Sequence, residues 1–386
     1  MVLAVLGGGL LVLGIAAVVF GVLPLGDALA LGERIAPVLG FVVAITVVAA
    51  VAAEAGVFDR LADAAARFAR GRGALLWLLV AAVAIASTVF LSLDTTAVLL
   101  TPVVVVLAKR VGLSPLPFAM TTVWLANTGS LLLPVSNLTN LLAESDPAFG
   151  TAYVTRSWAP AVVAVLVPLA ILAIVYRQAL RHRYEPPAPR TIGDPVLFRI
   201  AAVVLVLLVP ALAIGEPLLH VPVWVPATVA AVVLAVAAAL RSPAVLEWRL
   251  LPVPLVLFVC GLFLAVDAVG RLGLTDLLAA ASGRGEDAGS LLRLAGVGTV
   301  TANLADNLPA YLALEPVAGS QERLLALLVA VNAGPLITPW ASLATLLWHG
   351  RLEALDVHVS WWRFAGLGLI AAPITVALAT LAIQLT

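Results

Sequence analysis

Long apolar runs, separated by short polar segments, follow one another along the whole chain. A helix needs about 20 apolar residues to cross a bilayer. On that basis we predict nine full spans, at about residues 1–22, 35–53, 115–142, 158–177, 197–214, 222–240, 250–270, 322–347 and 362–385. Two further apolar regions, 74–110 and 288–318, are interrupted midway by polar residues. Each is too long for one span and too short for two, which predicts a re-entrant helical hairpin shielded by protein or water.

The amino-acid composition identifies lipid as the solvent of this chain. Hydrophobic residues make up 63% of the sequence and charged residues 11%, whereas an ordinary soluble domain carries about 25% charged residues. The formal net charge of zero indicates no nucleic-acid partner. The only cysteine, Cys260, can form neither an internal disulfide nor a cysteine metal cluster. Because the sequence also lacks metal-ligand spacing and hydrolase motifs, we expect neither enzymatic activity nor a cofactor.

The basic residues predict how the chain is oriented in the cell membrane. The loops after the second, fourth, sixth and eighth spans, together with the base of the first hairpin, hold 15 of the 21 lysines and arginines; the other side holds the remaining 6. Cytoplasmic loops carry the excess of such residues. We therefore expect a multi-pass protein with a cytoplasmic N-terminus and an external C-terminus. The first apolar segment has no basic region before it, so we interpret it as a retained helix rather than a signal peptide.

Two polar segments complete the organisation of the chain. Between residues 54 and 72 the spacing predicts an amphipathic helix at the cytoplasmic interface, with Val57, Leu61, Ala65 and Phe68 on one face and Arg60, Asp63, Arg67 and Arg70 on the other. Residues 181–195 are polar and proline-rich, which is typical of a linker. We therefore expect an N-terminal half at 1–180 and a C-terminal half at 196–386.

An internal repeat relates the two halves. The segment ANTGSLLLPVSNLTNLL at 126–142 aligns without a gap to VNAGPLITPWASLATLL at 331–347, so that Asn127, Gly129 and Pro134 match Asn332, Gly334 and Pro339. An interrupted hairpin precedes each segment, and the extra span at 197–214 makes the halves enter the membrane from opposite sides. Inverted repeats with paired broken helices are typical of secondary transporters, whose substrate site lies at the repeat interface. We predict an all-α polytopic membrane protein of this kind, with broken helices at 115–142 and 322–347.

These motifs resemble the ion-transporter superfamily over nearly the full length of the chain. The resemblance is most specific at LDTTAVLLTP (93–102), ANTGSLLLPVSNLTN (126–140), DNLPA (306–310) and GPLITPWASLATLLW (334–348). The last run is similar to arsenite-efflux permeases of the ArsB type, which are related to NhaD-type sodium/proton antiporters and to sodium/dicarboxylate symporters. Neither hairpin tip has the Ser-Asn-Thr of the symporters. The resemblance implies transport of arsenite or antimonite, and it implies a homodimer because scaffold surfaces in this superfamily often pair.

Two aspartates are the strongest candidates for coupling to protons. Asp94 and Asp306 lie at the two predicted hairpin tips, where a carboxylate costs roughly 2.5–3.5 kcal/mol on insertion scales and is a functional candidate by default. Burial disfavours the charged form of a carboxylate, which allows it to bind and release a proton. Neutral polar side chains cluster around the tips and the breaks, where hydroxyls and amides can bind a solute. The predicted site residues are Asp94, Thr95, Thr96, Asn127, Thr128, Ser136, Asn137, Asn303, Asp306, Asn307, Asn332, Thr338, Ser342 and Thr345.

Arsenous acid is a neutral trihydroxide that these hydroxyls and amides can hold without a countercharge. We therefore expect arsenite or antimonite efflux in exchange for protons. Sodium/proton antiport is the alternative that the same acids would serve. Dicarboxylate or inorganic-anion symport is less favoured, because two acids would repel a dianion and no basic residue stands opposite them.

Overall fold

The computed structural model describes residues 2–149, 153–188, 191, 193–219, 221–246 and 251–386. Residues 189, 190 and 192 of the predicted linker, and residue 250 at the start of a predicted span, lie outside this part of the chain. Within it the regular structure is helical, apart from one antiparallel bridge between Arg72 and Arg183. The expected all-α class is therefore confirmed.

The described residues up to 188 form ten helices. They are α1 Val2–Val19, α2 Leu25–Glu54, α3 Val57–Phe68, α4 Gly73–Leu91, α5 Leu93–Thr95, α6 Thr101–Arg110, α7 Leu116–Thr128, α8 Leu138–Glu144, α9 Tyr153–Val175 and α10 Arg177–Leu180. A π-helical turn, Thr96–Leu100, connects α5 to α6. Two 3-10 turns, Gly129–Leu131 and Pro134–Ser136, lie between α7 and α8.

The described residues from 191 onwards form nine helices. They are α11 Pro195–Leu219, α12 Trp224–Arg241, α13 Val253–Val269, α14 Thr275–Ser282, α15 Ala288–Ala305, α16 Asn307–Ala318, α17 Gln321–Ala333, α18 Leu343–Glu353 and α19 Trp361–Ala382. A π-helical turn at Gly270–Leu274 joins α13 to α14, and Gly273, with φ of 107°, kinks the chain there. The 3-10 turns are Pro243–Val245, Pro339–Ala341 and Ile383–Leu385.

Seven described helices are long and apolar enough to cross a membrane, rather than the nine predicted. Six of them coincide with predicted spans, and the seventh is α4, the first arm of the interrupted region 74–110. The segments 115–142 and 322–347 do not count, because each divides into two short helices around a proline-containing turn. The described apolar part of the first span, Val5–Val19, is also short. The chain is a multi-pass membrane protein.

The helices pack into two groups. One group contains α1, α2, α11, α12 and α13, in which α1 lies along α13 and α2 along α12. The other contains α4 to α9 and α15 to α19, in which α9 packs on α19 and α15 on α17. We call these groups the scaffold and the core. In the core, the helices α7 and α17 are buried along almost their whole length.

The amphipathic segment forms α3, although one of its polar residues is not in water. Of the predicted apolar face, Leu61 and Phe68 are exposed, whereas Val57 and Ala65 are buried. Asp63, predicted on the polar face, is also buried and accepts a hydrogen bond from Arg110 Nη1 at 3.4 Å. It is buried because the polar side of α3 packs against the end of α6. This contact places both ends of the region 73–110 next to α3.

Candidate functional site

The backbone breaks sharply at Ser92, between α4 and α5. Ser92 has φ of 118° and ψ of 160°, a region that residues other than glycine adopt at a cost of about 1–3 kcal/mol. Its side chain accepts a hydrogen bond from the backbone N–H of Thr95 at 3.3 Å, which caps the new helix. The break turns the chain so that Asp94 and Thr95 face a cavity.

An equivalent break occurs at Asp306, between α15 and α16. Asp306 has φ of 145° and ψ of 161°, and its Oδ1 accepts from the backbone N–H of Leu308 at 3.1 Å. In backbone conformation, Ser92 rather than Asp94 therefore corresponds to Asp306. The two aspartates therefore lie at different positions relative to these breaks, although both line the same cavity.

The two broken helices meet in a buried hydrogen-bond network centred on Asn332. Its Oδ1 accepts from Ser130 Oγ and from Asn137 Nδ2, each at 2.6 Å. Its Nδ2 donates to Asn140 Oδ1 and to the backbone carbonyl of Leu328, each at 2.9 Å. Both polar atoms of the side chain are therefore satisfied, and Asn332 joins α17 to the turn after α7 and to α8.

Asn127, the repeat partner of Asn332, is much less satisfied. Its Nδ2 donates to the carbonyl of Val123 at 3.0 Å and reaches Thr345 Oγ1 only at 3.5 Å. Its Oδ1 is buried without a hydrogen-bond partner among the described residues, as is the Oγ of Ser342. By the repeat alignment, Ser342 corresponds to Asn137, the residue that donates to Asn332. Asn137 thus donates a hydrogen bond to Asn332, whereas no described hydrogen bond joins the corresponding residues Ser342 and Asn127.

A cavity of about 440 Å³ lies between the two breaks and the scaffold. Its polar lining is formed by Thr46, Ser92, Asp94, Thr95, Asn137, Asp306, Asn307 and Ser342. Apolar side chains of α2 and of the start of α13, including Phe41, Ile45, Pro252 and Phe258, line it on the scaffold side, and apolar side chains of the core also contribute. A mostly apolar wall with a few converging polar groups is the usual form of a small-molecule site.

The charge of this lining restricts what the cavity can hold. Two carboxylates, Asp94 and Asp306, face it, and its described lining contains no lysine, arginine or histidine. Within the described chain, no hydrogen bond or ion pair to a protein group engages the Asp94 carboxylate, so it is available to a proton or a solute. No group of three metal-ligating side chains occurs among the described residues. The arrangement suits a neutral solute or a cation better than an anion.

The structure divides the predicted site residues into two groups. The cavity is lined by Asp94, Thr95, Asn137, Asp306, Asn307 and Ser342. The remaining eight lie behind it, mostly bonded within the protein: Thr96, Asn127, Thr128, Ser136, Asn303, Asn332, Thr338 and Thr345. Asn303, for example, accepts from the backbone N–H of Thr338 at 3.0 Å and donates to the carbonyl of Gly334 at 2.9 Å.

Sequence reasoning missed Thr46 in the lining and a charged cluster outside it. Thr46 lies in an apolar run with no feature that marks it. Glu315 follows the second predicted hairpin tip by nine residues and pairs with Arg34 of α2. The sequence signal for this pair was an acid, Glu315, and an arginine, Arg34, inside or beside apolar runs. Charged residues in such positions of a membrane protein normally pair with one another.

Apolar helices of membrane-spanning length around a cavity with a few converging polar groups define a polytopic membrane protein with a solute-sized site. The chain belongs to the citrate transporter family, which it matches over residues 1–345. The arsenical pump membrane protein of Yersinia enterocolitica is 31% identical over 96% of this chain and 91% of the relative. The protein of the same name from Escherichia coli strain K12 is 30% identical over the same shares. An uncharacterized transporter of Mycobacterium tuberculosis is 26% identical, over 89% of this chain and 84% of the relative. The chain is a membrane transporter, and the predicted resemblance to the ion-transporter superfamily is confirmed.

Proposed function

We propose that this transporter carries arsenite or antimonite out of the cell in exchange for protons. The observation that carries the proposal is the central cavity, whose lining combines two carboxylates with hydroxyl and amide groups and contains no described basic side chain. Such a lining can hold neutral arsenous acid by hydrogen bonds. The relatives named arsenical pump membrane proteins support the same cargo.

The inverted repeat, with halves at 1–180 and 196–386, is the architecture that we propose for this site. Asn332 contacts Asn140 at 2.9 Å, and Asn127 contacts Thr345 at 3.5 Å. The repeat alignment exchanges Asn332 with Asn127 and Asn140 with Thr345. The two contacts are therefore the same pair with the halves interchanged, which is what a two-fold relation between antiparallel halves produces.

The re-entrant hairpins are part of the same proposal. The contact of Arg110 with Asp63 supports a first hairpin, because it brings the end of α6 back to the helix that precedes α4. The matching backbone breaks at Ser92 and Asp306 support a second hairpin at 288–318. Freed backbone groups at such breaks can bind cargo as well as the side chains can.

Alternating access would follow from movement of the core against the scaffold. The cavity lies between the two groups, since α2 and α13 line it on one side and the two backbone breaks line it on the other. With the N-terminus cytoplasmic, the cavity wall at Ala49, Ala50 and Pro252 lies towards the cytoplasmic ends of α2 and α13. The described conformation would thus accept cargo from inside.

Asp94 is our principal candidate for the proton carrier, with Asp306 as the second. The Asp94 carboxylate has no described hydrogen-bond partner, whereas Asp306 also caps α16 through Leu308. Protonation of a capping carboxylate weakens its charge-assisted bond to the backbone N–H, although the carbonyl oxygen can still accept that bond. This difference favours Asp94 for repeated protonation and release.

Proteoliposomes distinguish the candidate functions. Wild type and Asp94→Asn should be compared with arsenite, sodium and citrate as substrates under an imposed pH gradient. We expect proton-coupled arsenite flux in wild type and its loss in Asp94→Asn. Sodium-dependent pH changes without arsenite would instead select sodium/proton antiport. Citrate-dependent flux would select the anion symport that the family description names, and all three fluxes being absent would reject transport by this site.

A further inference from the structure

A partly buried ion pair crosses from the scaffold to the core, outside the central cavity. Arg34 of α2 donates from Nη1 to Glu315 Oε2 of α16 at 3.1 Å, and its Nη2 bonds to Oε1. Tyr311 donates its hydroxyl hydrogen to the same Oε1 at 2.9 Å. Glu315 is 8% exposed and Arg34 31% exposed. Two parallel N–H to oxygen bonds make this a bidentate pair, the strongest form that arginine and a carboxylate adopt.

Arg34 also reaches the other half of the core. Its Nη2 donates to the backbone carbonyl of Leu142 at 3.2 Å, and its Nε donates to Ser145 Oγ at 3.4 Å. Both acceptors lie at the end of α8, the second part of the first broken helix. One scaffold side chain therefore holds the second hairpin and the end of the first broken helix at the same time.

The Arg34–Glu315 pair lies to one side of the central cavity. Phe41 of α2 lines the central cavity and Arg34 lies seven residues earlier in the same helix, which is about 10 Å away at 1.5 Å per residue. On the far side, Arg34 and Glu315 line a separate vestibule of about 320 Å³, together with Asp267 and Arg271. The pair thus stands between this vestibule and the central cavity, on the face opposite Pro252.

We propose that the Arg34–Glu315 pair is a latch that closes the outer side of the central cavity and must open when the core exposes its cargo to the outside. The proposal rests on alternating access as the proposed function. Opening is feasible because Arg34 already borders this vestibule, where its guanidinium group can be hydrated. Closure is favoured because a buried Glu315 without Arg34 would be an uncompensated charge.

The test measures which side of the membrane reaches the cavity, so it does not depend on flux. A single cysteine replaces Thr46, a half-buried residue of the cavity wall, in a Cys260→Ser background. Its alkylation by a membrane-impermeant maleimide is then timed in right-side-out and in inside-out vesicles. The variants Glu315→Gln and Arg34→Gln are compared with Asp27→Asn, which removes a matched arginine–carboxylate pair to Arg271 at 2.7 Å on the same face. That control pair is exposed at both ends and lies within the scaffold and the turn that follows it.

We expect labelling from outside to rise about tenfold in Glu315→Gln and Arg34→Gln, which corresponds to about 1.4 kcal/mol in the closed-to-open equilibrium. Asp27→Asn should label as wild type does. The double exchange Arg34→Glu with Glu315→Arg should restore slow external labelling if it re-forms the pair. Unchanged external labelling in both single variants, or an equal rise in Asp27→Asn, would overturn the latch.

Failure of the latch and failure of the proposed function have different signatures. If wild type moves none of the tested substrates but the single variants still label faster from outside, the cargo assignment is wrong and the latch stands. If wild type exports arsenite and the variants label as wild type does, the pair only stabilises the fold. A variant that does not reach the membrane is replaced by its partner, since either neutral substitution breaks the same pair.

Discussion

Asn127 and Asn332 should differ in how much they stabilise the fold, although the sequence alignment pairs them. We predict that Asn332→Leu destabilises the fold much more than Asn127→Leu does. Leucine is close to asparagine in size and shape, so each substitution removes the amide group without leaving a large void. The comparison therefore isolates the hydrogen bonds.

The structure sets the expected difference in the free energy of unfolding. Asn332 makes three side-chain bonds across helices, to Ser130, Asn137 and Asn140. Such bonds average about 0.6 kcal/mol in membrane proteins, with a maximum near 1.7, so their loss should cost about 2–5 kcal/mol. Asn127 makes one, a 3.5 Å contact with Thr345, and its loss should cost about 0.6 kcal/mol or less.

Unfolding in mixed micelles, followed by helical circular dichroism during titration with SDS, measures both values. We expect Asn332→Leu to unfold at lower SDS and Asn127→Leu to unfold almost as wild type does. Equal destabilisation by the two substitutions would refute the reasoning, because it would mean that the single 3.5 Å contact of Asn127 stabilises the fold as much as the three bonds of Asn332.

Three further predictions concern backbone strain, proton coupling and the exposed loops. Because Ser92 has a positive φ, Ser92→Gly should be about 1 kcal/mol more stable than Ser92→Ala in the same SDS titration; an alanine variant of equal stability would contradict the strain. Asp306→Asn should keep α16 capped, since the amide oxygen can still accept from the Leu308 N–H, so proton-driven flux should fall further in Asp94→Asn than in Asp306→Asn. Arg241 lowers the pKa of Asp194 to about 2, so this contact is lost only as pH falls through that value, well below the pKa of about 3.9 in the unfolded chain. Asp194→Asn should therefore leave the pH profile of transport between about pH 5 and 8 unchanged, and a shifted profile would show that the contact is coupled to the site.

Much of the architecture follows from local properties of the chain. The apolar runs predict membrane helices because a span must bury about 20 residues in lipid. Pro134 and Pro339 predict the two broken helices, since proline in a helix interior removes a backbone hydrogen bond. The count of nine spans was too high for the same reason: apolar length alone does not distinguish a continuous helix from one that is interrupted by such a turn.

Other features depend on which distant residues meet. The sequence determined that polar side chains would gather at the breaks, but packing decided that only six of the fourteen predicted ones face the cavity. Packing also buried Asp63 beside Arg110 and joined Arg34 to Glu315, 281 positions away. Hydrophobic periodicity carries no information on such pairs, because it reports how each helix meets its surroundings and not which helix it meets. The asymmetry between Asn127 and Asn332 has the same origin: their local sequences match, and only the neighbours supplied by the tertiary structure differ.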